Sequence, residues 1–198
     1  MPEEPTPAAK DQDRPPAQGG HPQTRIEDQP SRIARFLAYR RLWVLGLVTY
    51  LLDQGTKSWI NARLPLGSYG PGANLPVFPG FFNLVHVGNT GAAWSMFTGA
   101  STLLGLLAAG TLVAVFIWRH QLGLRHPAAQ AAFGLLCGGI VGNLTDRLAH
   151  GHVIDFIDLH FGTYVYPTFN VADSGIFLGV FGYILWSLRN PAATDSAP

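Results

Sequence analysis

The stretch NVADSGIFLGVFGYILWSL, residues 170–188, decides how this chain folds. It is polar only at its near end, which holds Asn170 and Asp173, and the remainder is apolar. A helix needs about 20 such residues to cross a bilayer, so the stretch predicts a transmembrane helix that begins with polar groups. An N-x-x-D start is also typical of helix capping, which would explain Asp173 without any chemical role.

Three earlier stretches have the same apolar character. They are LWVLGLVTYLL and its continuation (about 42–60), GASTLLGLLAAGTLVAVFIW (about 99–118) and PAAQAAFGLLCGGIVGNLTDR (about 127–147). Together with residues 170–188 they predict an all-α integral membrane protein with four transmembrane helices. The runs FFNLVHV and VIDFIDLHF between them have strand-like composition. We therefore expect a small β-sheet and loop region at the outer face.

Charged residues are scarce and unevenly distributed. They make up 13% of the 198 residues, against 47% hydrophobic, whereas soluble domains carry roughly a quarter charged residues. Residues 1–35 hold six acidic and five basic side chains without an apolar period, which predicts a disordered cytoplasmic N-terminal tail. Residues 36–190 would then form the membrane domain and residues 191–198 a cytoplasmic C-terminal tail.

Two further features of composition exclude classes of site. The net charge of +1 and the lack of a basic patch with interleaved aromatics give no support for nucleic-acid binding. Cys137 is the only cysteine, so the chain forms neither an intrachain disulfide nor a cysteine metal cluster.

The arginines predict the orientation in the membrane. Arg40 and Arg41 precede the first span, Arg119 and Arg125 flank the loop between the second and third, and Arg189 follows the fourth. The positive-inside rule puts all of these on the cytoplasmic side. Both termini are then cytoplasmic, and the loops 61–98 and 148–169 lie outside.

Carboxylates collect near that outer face. Beyond residue 28 the chain has no glutamate and only six aspartates, of which five lie in or beside apolar segments: Asp53, Asp146, Asp155, Asp158 and Asp173. An ionisable group near hydrocarbon is costly unless it is paired or used, so these are functional candidates. They fall in the short polar clusters DQGTK (53–57), GNLTDR (142–147), VIDFID (153–158) and NVAD (170–173). This arrangement indicates a carboxylate active site at one membrane face.

Two of the clusters have a structural alternative. Asp53 and Lys57 are spaced i, i+4, so they pair on one helix face either as a plain structural ion pair or in support of a site. In GNLTDR, Arg147 either holds a peptide carbonyl and orients a carboxylate, or only snorkels to the lipid headgroups beside Asn143 and Asp146.

Two neighbouring carboxylates would suit hydrolysis. A close pair cannot easily ionise at both members, so one keeps its proton, and such a pair acts as general base and general acid on a carbonyl. Spacing alone leaves open whether Asp146 or Asp155 partners Asp173. The histidines at 150, 152 and 160 flank Asp155, but their spacing matches no strong metal motif, so we expect no metal and no cofactor.

Five motifs in order resemble one family. They are DQGTK (53–57), GNTGAAWSMF (88–97), GNLTDR (142–147), VIDFID (153–158) and FNVADS (169–174), and the likeness covers about residues 41–190. The chain resembles the lipoprotein signal peptidases, also called signal peptidase II. That resemblance implies a four-helix aspartyl protease of the bacterial cytoplasmic (inner) membrane that uses no metal. The family cleaves prolipoproteins on the outer side, just upstream of a diacylglyceryl-modified cysteine, and is inhibited by the cyclic peptide globomycin.

The resemblance also implies roles for individual residues. Asp155 and Asp173 would form the catalytic pair. The substrate channel would be lined by polar and small residues of the other motifs: Asn89, Gly91, Asn143, Asp146, Arg147 and Asn170. Asp53 and Lys57 would support the site from the first span. The chain departs mildly from the family pattern, with Trp94 where phenylalanine is expected and with a longer N-terminal tail.

Two other functions are compatible with the same composition. A small proton-coupled transporter or channel subunit also needs intramembrane carboxylates, but it predicts acids spread through the membrane depth as a relay. A purely structural membrane protein predicts that Asp155→Asn and Asp173→Asn leave its function unchanged.

Overall fold

The computed structural model describes residues 31–91 and 96–191. Its helices are α1 (Arg32–Leu37), α2 (Arg40–Arg63), α3 (Ser101–Ile117), α4 (Pro127–His150) and α5 (Val171–Arg189). Its strands are β1 (Leu75–Phe78), β2 (Phe82–Asn89), β3 (Val153–Phe161) and β4 (Tyr164–Val165). The predicted tails lie almost wholly outside the described residues, although helix α1 begins within the last residues of the segment predicted as the N-terminal tail.

Helices α2 to α5 correspond to the four predicted spans. In the described residues two of them, α4 and α5, are long and apolar enough to cross a membrane. Helix α3 is apolar but has 17 residues, and α2 has 24 residues with Asp53 and Lys57 buried along one side. The structure shows apolar helices and a small sheet. The count of four transmembrane helices stays a prediction.

Local sequence explains where α4 begins and ends. Pro127 occupies the first turn, where a backbone N–H has no partner within the helix, so the lack of an N–H on proline costs no hydrogen bond. Before it, His126 accepts a hydrogen bond from the Ala128 N–H through Nδ1. Gly151 ends the helix with φ 75°, a left-handed conformation that glycine adopts without strain, and its N–H reaches the Arg147 carbonyl.

Glycines allow α4 to pack closely against its neighbours. A Cβ on Gly138 would lie 2.5 Å from the backbone oxygen of Gly46 on α2, and one on Gly179 of α5 would lie 2.6 Å from the Ala132 oxygen. Small residues at helix crossings let backbones approach and supply packing where lipid offers no hydrophobic drive. Helix α4 consequently contacts both α2 and α5, and its polar end is fixed between them.

The sheet brings separate parts of the chain to that polar end. All four strands are antiparallel in the order β1-β2-β3-β4, and β2 pairs with β3 so that Val87 faces Asp155 and Asn89 faces Val153. The predicted strands FFNLVHV and VIDFIDLHF are confirmed as β2 and β3. Strand β1 was not predicted, because its LPVF sequence lies among glycines and prolines that are typical of a loop.

Candidate active site

Asp155 and Asp173 line one cavity of about 420 Å³. They come from different elements, Asp155 from near the beginning of β3 and Asp173 from the first turn of α5. The cavity is also lined by Asn143 and Arg147 of α4, and by apolar residues of α5 such as Phe177. Its size is within the range of ligand-binding clefts, roughly 300–1,000 Å³.

The carboxylate of Asp155 is held by two amide groups. Asn170 Nδ2 donates to Oδ1 at 2.7 Å, and Asn89 Nδ2 donates to Oδ2 at 2.9 Å. Burial raises the pKa of Asp155 to about 7, with a further upward contribution from the charge of Asp173, against the downward effect of the two amides and of Lys57. A carboxyl with a pKa near neutrality exchanges its proton at physiological pH, as general acid–base chemistry requires.

Asp173 forms the helix cap and also faces the cavity. Its backbone N–H donates to Asn170 Oδ1 at 2.9 Å, and the Asn170 N–H donates to Asp173 Oδ2 at 3.2 Å, which completes a capping box. The other oxygen, Oδ1, accepts from Asn143 Nδ2 at 2.7 Å. Capping therefore uses one oxygen of this carboxylate and does not withdraw the side chain from the cavity.

Asn170 connects the two aspartates. It caps Asp173 with its side-chain oxygen and donates to Asp155 with its side-chain nitrogen, and it is fully buried. Its nitrogen also lies 3.3 Å from Asn143 Oδ1 and from the Ile154 carbonyl. Asn170 thus fixes both carboxylates from behind without lining the cavity itself.

Lys57 fixes the orientation of Asn143. Its Nζ donates to Asn143 Oδ1 at 3.0 Å, so that amide must present its Nδ2 to Asp173. The same ammonium lies 2.8 Å from Asp53 and 2.8 Å from Asp146, with all three side chains at most 2% exposed. The i, i+4 ion pair between Asp53 and Lys57 is thus present in the structure, and Asp146 is a second carboxylate partner of the same ammonium.

Asp146 lies behind the cavity and does not line it. Its Oδ2 accepts from the Ile154 N–H at 3.1 Å as well as from Lys57, and its Oδ1 accepts from Gln54 at 3.0 Å. Both oxygens are therefore occupied by protein groups. We expected Asp146 to line the channel beside Arg147. The two residues are neighbours on α4, and adjacent residues of a helix point in different directions, so that of the two only Arg147 lines this cavity.

Gln54 is a site-supporting residue that the sequence reasoning overlooked. Its Nε2 lies 3.1 Å from Asp53 Oδ2 and 3.0 Å from Asp146 Oδ1, so it bridges two carboxylates. Asp53 in turn accepts from the Ala172 N–H at 2.9 Å in the first turn of α5. The only signal in the sequence was its place inside DQGTK, next to an aspartate.

Arg147 holds the loop that follows β2. Its Nη2 donates to the Gly91 carbonyl at 3.2 Å, and Nη1 lies 3.4 Å from the Asn143 carbonyl. Within the described part of the chain Nε is buried without a hydrogen-bond partner. Gly91 also accommodates the turn, because a Cβ there would lie 2.5 Å from the Met96 oxygen, and its N–H donates to Asn89 Oδ1 at 2.8 Å. Trp94 lies outside the described residues.

Asp158 belongs to a separate polar cluster on the sheet. It is buried, accepts from Asn83 Nδ2 at 3.1 Å, and lies 2.6 Å from His160 Nε2 and 3.5 Å from the Tyr69 hydroxyl. Across residues 31–91 and 96–191 no group of three or more His, Cys, Asp or Glu side chains is arranged to hold a metal ion. That the protein uses no metal and no cofactor stays a prediction.

Comparison with known proteins decides the family. The sequence profile of a family described as signal peptidase (SPase) II matches residues 45–189. The chain belongs to the signal peptidase II family. A lipoprotein signal peptidase of Symbiobacterium thermophilum is 38% identical over 137 residues, 69% of this chain and 87% of that protein. One from Xylella fastidiosa is 36% identical over 162 residues, 79% of this chain and 94% of that protein.

Two solved bacterial membrane enzymes share the fold of this chain. One, determined by the in meso method at 2.3 Å resolution, has a TM-score of 0.67 and 29% identity and covers 78% of this chain and 92% of its own. The other, at 1.9 Å, has a TM-score of 0.62 and 30% identity over 74% and 92% of the two chains. The family resemblance seen in the ordered motifs is thus confirmed, and nothing in these likenesses supports a transporter.

Proposed function

We propose that this chain is a membrane aspartyl endopeptidase that removes the signal peptide from diacylglyceryl-modified bacterial prolipoproteins. It cuts just upstream of the lipidated cysteine and uses Asp155 and Asp173 as its catalytic pair. Family membership supports a peptidase that acts on prolipoproteins. The aspartyl mechanism, the lipid requirement and the residue roles are the further content of the proposal.

One observation carries the catalytic assignment. Asp155 and Asp173 are the only two aspartates among the described residues that line the cavity. The carboxylates of Asp53 and Asp146 lie outside the cavity and form ion pairs with Lys57. A carboxylate that is ion-paired with a buried ammonium and lies outside the cavity is a poor base for a water in the cavity. This favours Asp155 over Asp146 as the partner of Asp173.

The pair suits water attack on a peptide carbonyl. One carboxylate takes a proton from water as the water oxygen bonds to the scissile carbonyl carbon, and the other, protonated, donates its proton to the developing oxyanion. When the tetrahedral intermediate collapses, the C–N bond breaks and the leaving amine receives a proton from the pair. The fixed amides of Asn143 and Asn170 hold each carboxylate at a set angle to the substrate, and the two acids titrate as a coupled pair.

The walls of the cavity suit the other parts of the substrate. The side of the cavity formed by α5 is lined by the apolar residues Ile176, Phe177 and Val180. An apolar signal sequence or acyl chain packs favourably against such residues. Arg147, which already holds one backbone carbonyl, lies at the cavity wall and orients the peptide near the cut.

The proposed location is the bacterial inner membrane, crossed four times. Both termini are cytoplasmic and the active site lies at the outer face, as the distribution of arginines predicts. A globomycin-type cyclic peptide is expected to occupy the same cavity and to compete with the prolipoprotein.

The proposal is tested with membranes that contain wild type or one of three isosteric variants, Asp155→Asn, Asp173→Asn and Asp158→Asn. Each is incubated with a diacylglyceryl-modified prolipoprotein, and cleavage is followed by gel mobility. Wild type and Asp158→Asn should cleave, while the other two should lose at least about 10²-fold in rate. Asp158 is the matched control, because it is an equally buried aspartate on the same strand outside the cavity.

Three results would each refute one part of the proposal. Equal cleavage by Asp155→Asn and wild type would exclude Asp155 from the chemistry. Absence of cleavage by folded wild type would refute the peptidase itself. Cleavage of an unlipidated precursor at the same rate would refute the lipid requirement alone.

A further inference from the structure

A second, larger groove lies beside the catalytic cavity. Its volume is about 890 Å³, and it lies between the loop after α2, the end of β2 and the β3–β4 region. Twelve residues line it, among them Leu66, Tyr69, Gly88, His152, Tyr164 and Tyr166. Among these lining residues, all of them described, there is no Asp, Glu, Lys or Arg.

The groove and the catalytic cavity share part of their walls. Tyr166, Pro167 and Thr168 line both spaces. A peptide that lies in the cavity at Asp155 would have to cross this three-residue segment to enter the groove. The segment follows β4, the last strand in the sheet order, and extended peptides commonly dock along the edge of a sheet.

The two spaces differ in the charge of their walls, since Asp155, Asp173 and Arg147 line the cavity and no described Asp, Glu, Lys or Arg lines the groove. The cavity extends along α5 beside Phe177 and Val180, which suits apolar substrate parts that stay in the membrane. The groove instead has tyrosine hydroxyls, threonines and an imidazole among its walls. Peptide amides find donors and acceptors there, and apolar residues such as Leu66 and Val165 offer contacts for peptide side chains.

We propose that this groove binds the first residues of the mature lipoprotein, those just downstream of the lipidated cysteine, in an extended conformation. This inference rests on the proposed function and names a subsite for the same substrate. The downstream segment is the part of a prolipoprotein that leaves the membrane on the outer side, so it must pass from the cavity toward the sheet. A groove without charged walls selects a neutral, flexible segment at these positions.

Two substrates test the assignment. The first is a diacylglyceryl-modified prolipoprotein peptide that continues for six residues beyond the cysteine, and the second is the same peptide ending in an amide at that cysteine. The ratio of their kcat/KM values measures the contribution of the downstream segment. Wild type should prefer the long substrate through a lower KM, because uniform binding changes KM and leaves kcat unaltered.

Two variants alter the groove in opposite ways. Tyr164→Ala removes an aromatic wall. Gly88→Ala narrows the groove, since a Cβ there would lie 2.9 Å from His152 Cδ2 and would displace the imidazole. Each should lower the long-to-short ratio by about five- to tenfold, as expected for one contact of this kind. Phe78→Ala, which removes an exposed aromatic from β1 at the other edge of the sheet, is the control and should keep the wild-type ratio.

The outcomes separate this inference from the proposed function. An unchanged ratio in both groove variants, with wild type cleaving both substrates, would overturn the groove assignment and leave the peptidase intact. An equal loss on both substrates would overturn it as well, because a general structural role has that effect. Failure of folded wild type to cleave either substrate would overturn the proposed function, and the groove assignment with it.

Discussion

Replacing Lys57 by methionine should destabilise the protein strongly. Its ammonium is 2% exposed and is the counter-charge of two carboxylates, Asp53 and Asp146, at 2.8 Å from each. Methionine fills a similar volume but leaves both carboxylates buried without a cation. Removing one partner from a buried ion pair costs about 3–5 kcal/mol. For a domain of this length each kcal/mol lowers the unfolding midpoint by roughly 2–4 °C, so we expect a fall of roughly 6–20 °C.

The assay is thermal unfolding in detergent, with Arg63→Met as the matched control. Arg63 lies on the same helix and carries the same charge, but it is exposed and stacks over the Trp59 ring. Its loss should lower the midpoint by no more than about 2–4 °C, since exposed charges contribute up to about 1 kcal/mol. The triple variant Lys57→Met, Asp53→Asn, Asp146→Asn should regain much of the loss. If Lys57→Met unfolds at the same temperature as Arg63→Met, the reasoning about a buried charge centre is wrong.

Three more outcomes follow from the site and the helix crossings. Asn89→Ala removes an amide that lowers the pKa of Asp155, so that carboxyl keeps its proton to higher pH. The basic limb of the kcat/KM profile should then move up by about one pH unit, and a downward shift would contradict the geometry. Asn170→Ser keeps an N-cap oxygen but loses the amide donor, so kcat should fall at least about tenfold with unchanged helix content by circular dichroism. Gly138→Ala should cost about 1–3 kcal/mol in unfolding free energy, because its Cβ would meet the α2 backbone. Gly55→Ala, which meets no atom within 4 Å, should not destabilise, and equal unfolding midpoints for the two would exclude the close crossing.

Local patterns in the sequence predicted the elements that depend on neighbours along the chain. The helix start at Asn170 and Asp173 is one case, because a capping box joins residues three apart. Strand β3 is another, since VIDFIDLHF has β-branched and aromatic residues throughout. The ion pair between Asp53 and Lys57 follows from helical spacing alone.

Such local patterns could not predict contacts between distant parts of the chain. Gln54 meets Asp146 across 92 positions of sequence, and no local period encodes that distance. Strand β1 forms because β2 supplies its hydrogen bonds, although its own residues favour a loop. The placement of Asp146 behind the cavity likewise depends on where Lys57 lies, and therefore on how α2 packs against α4.

The hydrogen bond from the Ala172 N–H to Asp53 has a consequence for biosynthesis. It joins two positions 119 residues apart, so an early helix of the chain fixes the beginning of the last one. A ribosome-bound chain that still lacks α5 has neither Asp173 nor Asn170, and Asp155 then has no partner carboxylate beside it. Under the proposed catalytic assignment, proteolytic activity therefore requires α5 to be synthesised and to pack against α2.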